Sequence, residues 1–326
     1  MLLIAQVIGG LVLLYLGGEW LVRGAVSMAN RLGVSPLIVG LSVVAAGTSA
    51  PELFVSLISA LDNRPGIAIG NVVGSNIANI LLVLGAAALV WPILVRRSVV
   101  TRDGVVLIGA TFIFCLLAVN GHISRIFGIA MVLIVILYLY ISYRHDLGDV
   151  KARKEIEGEV AELDGERPVW LITAYLLAGF AGVLIGSELL VSGAVGVATK
   201  AGVSETVIGV TLVAIGTSLP ELAASIAAAK NRHTDLALGN VLGSCIFNIL
   251  AIIGIVSSVI PLRVPAEVLV FDLWAMLGVT LAFIGIAFFV PRLGRVFGIV
   301  MLLAYAAYIG AQFTGLSAIP LMGHTG

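Results

Sequence analysis

The sequence predicts an all-α polytopic membrane protein: ten transmembrane helices arranged as two inverted five-helix repeats. Three observations carry that prediction. Of 326 residues, 60% are apolar and only 11% are charged, against about 25% charged in an ordinary soluble domain, and mean hydropathy is +1.16. Apolar runs long enough to cross a bilayer recur along the whole chain. The chain also matches itself at an offset of 169 residues.

The ten spans fall at about 2–29, 36–61, 66–92, 99–119, 122–143, 168–199, 205–229, 234–260, 265–290 and 293–314. Gly, Pro and Asn punctuate them, as at Asn63-Arg64-Pro65-Gly66 and Asn120-Gly121-His122. The first span has no basic leader and no small-residue cleavage site, and Glu19 interrupts it, so it reads as a retained helix rather than a signal peptide. The one long polar stretch, Arg144 to Arg167, holds eight acidic and five basic residues and reads as a solvated linker. Residues 1–143 then form the first repeat, 144–167 the linker and 168–326 the second repeat.

Lys and Arg set the orientation. With the N-terminus outside, inner loops and flanks hold 13 of them, among them Arg31, Arg96, Arg97, Arg102, Lys230 and Arg292; the outer side holds Arg64, Arg125, Lys200 and Arg263. Both termini are therefore expected outside and the linker in the cytoplasm. A net charge of zero suggests no nucleic-acid partner. Cys115 and Cys245 read as small buried apolar residues. The chain carries no Walker A sequence, so ATP is not the direct energy source.

The repeat is specific. From Gly33 to Gly85 the offset never slips, and 25 of 53 positions are identical. Gly47-Thr48-Ser49-Ala50-Pro51-Glu52 meets Gly216-Thr217-Ser218-Leu219-Pro220-Glu221, and Gly70-Asn71-Val72-Val73-Gly74-Ser75 meets Gly239-Asn240-Val241-Leu242-Gly243-Ser244. Apolar composition alone cannot align Thr, Ser, Pro, Glu and Asn together. Five spans per half is an odd number, so the second half starts on the opposite side of the membrane. Inverted repeats are typical of secondary transporters, with the site near the midplane.

Glu52 and Glu221 lie inside spans, where a carboxylate costs about 2.5–3.5 kcal/mol on insertion scales. No Lys or Arg lies within eight residues of either in sequence, so cation coordination is the expected role; Arg23 is the one plausible basic partner from another span. Pro51 and Pro220 lack the N–H and crowd the carbonyls of Gly47 and Gly216, loosening each helix beside its Glu. Carbonyls freed in lipid need partners, and the carbonyls and hydroxyls of Thr48 and Thr217 are placed to serve a cation. Asn71, Ser75 and Asn79 fall at i, i+4 and i+8 on one helix face, repeated by Asn240, Ser244 and Asn248; ion ligation and helix–helix hydrogen bonding both fit these stripes. Ca2+ takes six to eight hard oxygens, and two carboxylates balance one Ca2+ or two Na+. No Cys or His stands at these positions, which argues against zinc and copper.

Other polar positions are read more plainly. Glu19 and Glu188 match across the repeat and are open between a gating role and local pairing, Glu19 with Arg23 and Glu188 with Ser192. Asp103 and Asp272 read as charges at helix N-termini. An intramembrane hydrolase would need a base near Ser49 or Ser218, and no His is near either in sequence. Broken midspan helices in inverted repeats favour a carrier over a passive channel.

At Gly-Thr-Ser-x-Pro-Glu (47–52 and 216–221) and Gly-Asn-x-x-Gly-Ser (70–75 and 239–244), the chain resembles the prokaryotic Na+/Ca2+ antiporters of the cation/Ca2+ exchanger superfamily. The resemblance covers essentially the whole chain. It implies alternating access in a prokaryotic inner membrane, with Ca2+ and Na+ as bound cargo, no resident cofactor and no enzymatic activity. It maps ion ligands onto Glu52, Glu221, Thr48, Thr217, Ser49, Ser218, Ser75, Ser244, Asn79 and Asn248. Spans one and six would slide as a gating pair, and exchange would be electrogenic. K+-dependent relatives carry Asp where this chain has Asn248, which speaks against K+ co-transport. Proton/Ca2+ exchangers share the general pattern, so H+ is the alternative counter-ion.

Overall fold

The computed structural model describes residues 2–148, 167–200 and 214–313. The linker expectation for 149–166, the start of the seventh span and Gly202-Val203-Ser204 of the repeat lie outside the described residues. The described chain is almost entirely helical. Its elements are α1 Leu2–Leu32, α2 Pro36–Thr48, α3 Ala50–Leu61, α4 Pro65–Val90, α5 Arg97–Val119, α6 Arg125–Leu147, α7 Val169–Lys200, α8 Leu219–Lys230, α9 Thr234–Val259, α10 Val268–Phe289 and α11 Arg295–Gln312. Among the described residues, eight helices are long and apolar enough to cross a membrane, or nine with the bent pair α2–α3 counted as one. A short turn at Ala214–Gly216 precedes α8.

The predicted breaks fall where the sequence places them. Asn63 and Arg232 adopt left-handed φ of 58° and 64°, at positions 169 apart, and turn α3 into α4 and α8 into α9. Gly33 and Gly121 do the same work at φ 64° and 78°, a conformation open to residues without Cβ. Pro36, Pro65 and Pro51 all sit in first helical turns, where the missing N–H costs nothing.

α4 and α9 are the most enclosed spans and form the centre of the bundle. The outer helices present large apolar residues such as Ile126, Trp170 and Phe289 outward, as a lipid-facing surface requires. α1 and α7 pack against each other along glycines. A Cβ on Gly17 would lie 2.6 Å from the Val183 nitrogen, one on Gly10 2.6 Å from the Leu190 nitrogen, and one on Gly24 2.9 Å from the Leu176 nitrogen. Residue numbers rise on one helix as they fall on the other, so the pair is antiparallel, with small residues admitting close backbone approach.

Two short antiparallel ladders close the ends of the bundle. β1 (Ile93–Leu94) pairs with β4 (Arg292–Leu293), and β2 (His122–Ile123) pairs with β3 (Leu262–Arg263). Each joins a loop of the first half to a loop of the second.

Asp103 and Asp272 are more than N-terminal helix charges. Asp103 is fully buried, held by Arg102 Nε at 2.8 Å and by the Tyr138 hydroxyl at 2.9 Å. Asp272 accepts from the Tyr308 hydroxyl at 2.9 Å. The first Asp–Tyr bond ties α5 to α6, and the second ties α10 to α11. Burial without a compensating partner would be costly; Arg102 is adjacent in sequence, but Tyr138 lies 35 residues away, out of reach of any local pattern.

Candidate functional site

The site is built on a helix break. α2 ends at Thr48, Ser49 takes φ −85° and ψ 8°, and α3 starts at Ala50 with a bend of 44°. Pro51 stands in the first turn of α3 and Glu52 follows it. The second half repeats this geometry: Ser218 has φ −89° and ψ 4°, and Pro220 and Glu221 open α8. The sequence expected a kink centred on Gly47 and Pro51. The structure puts a 44° bend at Ser49, where the Ser49 N–H still donates to Ala45 O at 2.9 Å and the Leu53 N–H to Ser49 O at 3.2 Å, and Pro51, which has no N–H to donate, stands in the first turn beyond it.

Both carboxylates are completely buried. Among the described residues no basic side chain pairs with either; in particular Arg23 does not. The Ser49 hydroxyl donates to Glu221 Oε1 at 2.9 Å, linking the break in one half to the carboxylate of the other. Glu52 Oε1 and Oε2, Glu221 Oε2, Ser218 Oγ and Ser244 Oγ are buried without a hydrogen-bond partner, as are the side-chain amide atoms of Asn79 and Asn248. So many unsatisfied polar atoms in one apolar bundle is unusual, since buried polar groups are normally bonded. Their chemistry is that of hard oxygen donors around two negative charges.

Of the ten residues singled out from sequence, nine are buried: Thr48, Ser49, Glu52, Ser75, Asn79, Ser218, Glu221, Ser244 and Asn248. Thr217 is half-buried. The Thr48 hydroxyl reaches Val44 O at 3.0 Å and Asn240 Oδ1 at 3.4 Å. Asn79 and Asn248 lie in wide π-helical turns, Asn79–Val83 and Phe247–Ile253, a distortion that frequently marks functional sites.

Asn71 and Asn240 have the second of their two readings, helix–helix hydrogen bonding. The Asn71 amide donates to Glu52 O at 3.1 Å and Ser56 Oγ at 2.9 Å. Asn240 does the same to Glu221 O at 3.3 Å and Ser225 Oγ at 2.9 Å. These amides fix the backbone that carries each carboxylate. Ser56 and Ser225 escaped the sequence reading, although their identity at the 169-residue offset could have flagged them. Asn76 is set aside on sequence because only Cys245 stands opposite it in the repeat; its Oδ1 is buried and unpartnered among the described residues, and its backbone carbonyl lies 3.9 Å from the Cys245 sulfur.

Glu19 does not pair with Arg23. Lys230 Nζ lies 2.9 Å from Glu19 Oε1, and the Asn231 amide donates to Oε2 at 3.1 Å. Glu188 accepts from the Ser192 hydroxyl of its own helix at 3.2 Å, the local pairing that was one of its two readings. Among the described residues no three His, Cys, Asp or Glu side chains come together, so ligands beyond the two carboxylates would be neutral oxygens.

Fold and site together define a multi-pass membrane protein of the carrier class, organised around a buried pair of carboxylates. The chain belongs to the sodium/calcium exchanger protein family, whose profile matches residues 2–144 and 171–314. CaxA of Alkalimonas amylolytica is 40% identical over 309 residues, covering 93% of this chain and 96% of its own. The sodium/calcium exchanger MaX1 of Methanosarcina acetivorans is 32% identical over 337 residues, again covering 93% and 96%. Among solved structures, the sodium-calcium exchanger NCX_Mj superposes with a TM-score of 0.82 at 33% identity, covering 95% of this chain and 98% of that one.

Proposed function

We propose that this protein exchanges Ca2+ for Na+ by alternating access, with Glu52 and Glu221 as the charged ligands. The observation that carries the reading is the pair of fully buried carboxylates at matched helix breaks with no basic partner among the described residues. Two negative charges compensate one Ca2+ or two Na+, and the buried Ser, Thr and Asn oxygens supply the neutral remainder of a flexible six-to-eight-fold shell. Thr48, Ser49, Ser75 and Asn79 contribute from one half, and Thr217, Ser218, Ser244 and Asn248 from the other.

Two inverted five-helix repeats account for the architecture. α1 and α7 occupy equivalent places in sequence yet run antiparallel. The ladders obey the same relation: β1 and β3 follow equivalent helices, and each pairs with a strand of the other half. The Lys/Arg count puts the termini outside and the linker in the cytoplasm of a prokaryotic inner membrane. A third Na+ would carry net charge, so exchange responds to membrane potential.

The test is 45Ca2+ uptake into proteoliposomes driven in turn by Na+, K+ and H+ gradients. Na+-driven, voltage-sensitive uptake is expected. Uptake that follows a pH gradient and ignores both Na+ and voltage would replace Na+ by H+ as counter-ion at the same Glu pair.

A further inference from the structure

We propose that Glu19 and Lys230 form an ionic latch that biases the carrier toward the conformation seen here, an inference that rests on the alternating-access reading. Lys230, the last residue of α8, donates to Glu19 Oε1 at 2.9 Å and to the Tyr15 hydroxyl at 2.6 Å, and lies 4.4 Å from the Tyr15 ring centroid. Asn231 holds the second Glu19 oxygen at 3.1 Å. The Glu19 side chain is only 14% exposed. These contacts join α1, which otherwise packs mainly on its partner α7, to the helix that carries Glu221.

The surface beneath the latch is smooth. A Cβ on Gly18 would lie 2.9 Å from the Ala223 carbonyl and 3.1 Å from the Ala227 methyl. α1 thus lies flat on α8 and covers it; Ala227 is 6% exposed. Such a contact has few interlocking side chains to resist sliding, so the polar group at its end decides how firmly it holds.

The mirror site is built differently. At the 169-residue offset, Glu19 corresponds to Glu188, but Lys230 corresponds to Leu61 and Asn231 to Asp62. Ala223 and Ala227 correspond to Phe54 and Ile58, which are 63% and 55% exposed. If α7 comes to lie on α3 in the opposite conformation, Glu188 meets an apolar residue and a like charge over a bulky surface; Arg64, two positions beyond Asp62, is the nearest cation on that turn. The carboxylates are symmetric and their partners are not, so one conformation is latched and its mirror is not.

The experiment uses an Ala227→Cys reporter in the purified full chain, labelled by a charged maleimide. Native Cys115 and Cys245 are buried, and their background is subtracted. Labelling is expected to be slow, and about two- to fivefold faster in Glu19→Gln and in Lys230→Gln, the range that a partly screened ion pair supports. Glu188→Gln should leave it unchanged, and the charge swap Glu19→Lys with Lys230→Glu should restore the slow rate. Hydrogen–deuterium exchange across residues 219–230 gives the same ordering if the reporter disturbs packing under Gly18. Wild-type rates in both single variants, or a swap that stays fast, would overturn the latch. Neither readout needs an ion gradient, so a carrier that fails to exchange Na+ for Ca2+ would defeat the functional reading and leave this result separate.

Discussion

The Ser49 hydroxyl donates to Glu221 Oε1 across 2.9 Å, whereas its mirror, the Ser218 hydroxyl, is buried without a partner and so are both oxygens of Glu52. Two nearly identical motifs therefore stand in unequal environments. Glu221 is held by a hydroxyl from the other motif, while among the described residues both Glu52 oxygens keep their acceptor capacity unused.

That inequality gives a graded prediction. Glu52→Gln and Glu221→Gln should each abolish Ca2+ transport, because one carboxylate cannot balance a divalent ion at low dielectric. Both variants should still insert, since removing a charge lowers the insertion cost. Ser49→Ala should weaken Ca2+ affinity about tenfold, as expected for losing a bond to a charged group worth about 1.5–3 kcal/mol, and more than Ser218→Ala does. Equilibrium Ca2+ binding and proteoliposome flux measure both; equal effects of the two Ser variants would deny Ser49 its special place.

A second prediction concerns the approach of α7 to the break. A Cβ on Gly47 would run into the Phe180 ring, and one on Gly216 would meet Val191 Cγ2 at 2.6 Å. Both contacts come from α7, so this helix touches both motif glycines. Gly47→Ala should cut exchange several-fold by pushing Phe180 away, and Phe180→Ala should rescue it, as overpacking relieved by a smaller neighbour does. Exchange rates of the two single variants and the double variant decide the matter; a double variant no better than Gly47→Ala would mean that the ring is not the obstacle.

Topology is tested separately. Ser98, in the first turn of α5, and Asn120, just past the end of α5, are both exposed. By the Lys/Arg bias, Ser98→Cys should label only from the cytoplasm and Asn120→Cys only from outside, in intact cells with an impermeant reagent. The reverse pattern would invert the proposed orientation.

Much of this molecule was legible in the sequence because lipid allows few solutions. Spans follow from apolar length, and breaks from Gly, Pro and Asn. The carboxylates stood out because an intramembrane charge is rarely without purpose. Local patterns could not reveal contacts over long sequence distances. Lys230 lies 211 residues from Glu19, so the pairing with Arg23 at i+4 was the nearest option and the wrong one. Ser56 and Ser225 look like helix filler until the Asn amides reach them. Ser35 is similar: its N–H and hydroxyl bind Asp146 at 2.6 and 2.8 Å, capping α2 from the far end of α6.

The last prediction concerns Asn248. Its side chain is fully buried in the π-helical turn of α9, and neither amide atom has a hydrogen-bond partner. An amide offers a cation one oxygen and no charge, so Glu52 and Glu221 supply all the formal charge near the site. That suffices for Ca2+ alone but not for Ca2+ with K+, and wild-type exchange should need no K+. Asn248→Asp adds a third carboxylate to the same enclosed region, where like charges disfavour one another's ionised forms. Its flux should therefore depend on pH more steeply than the wild type's, rising toward the alkaline end as the third charge is admitted. Na+-driven Ca2+ flux measured for both proteins from about pH 6 to 9, with and without K+, makes the comparison. A wild type that requires K+, or a variant whose profile follows the wild type's, would mean that Asn248 lies outside the ion path and that its unpartnered amide serves packing alone.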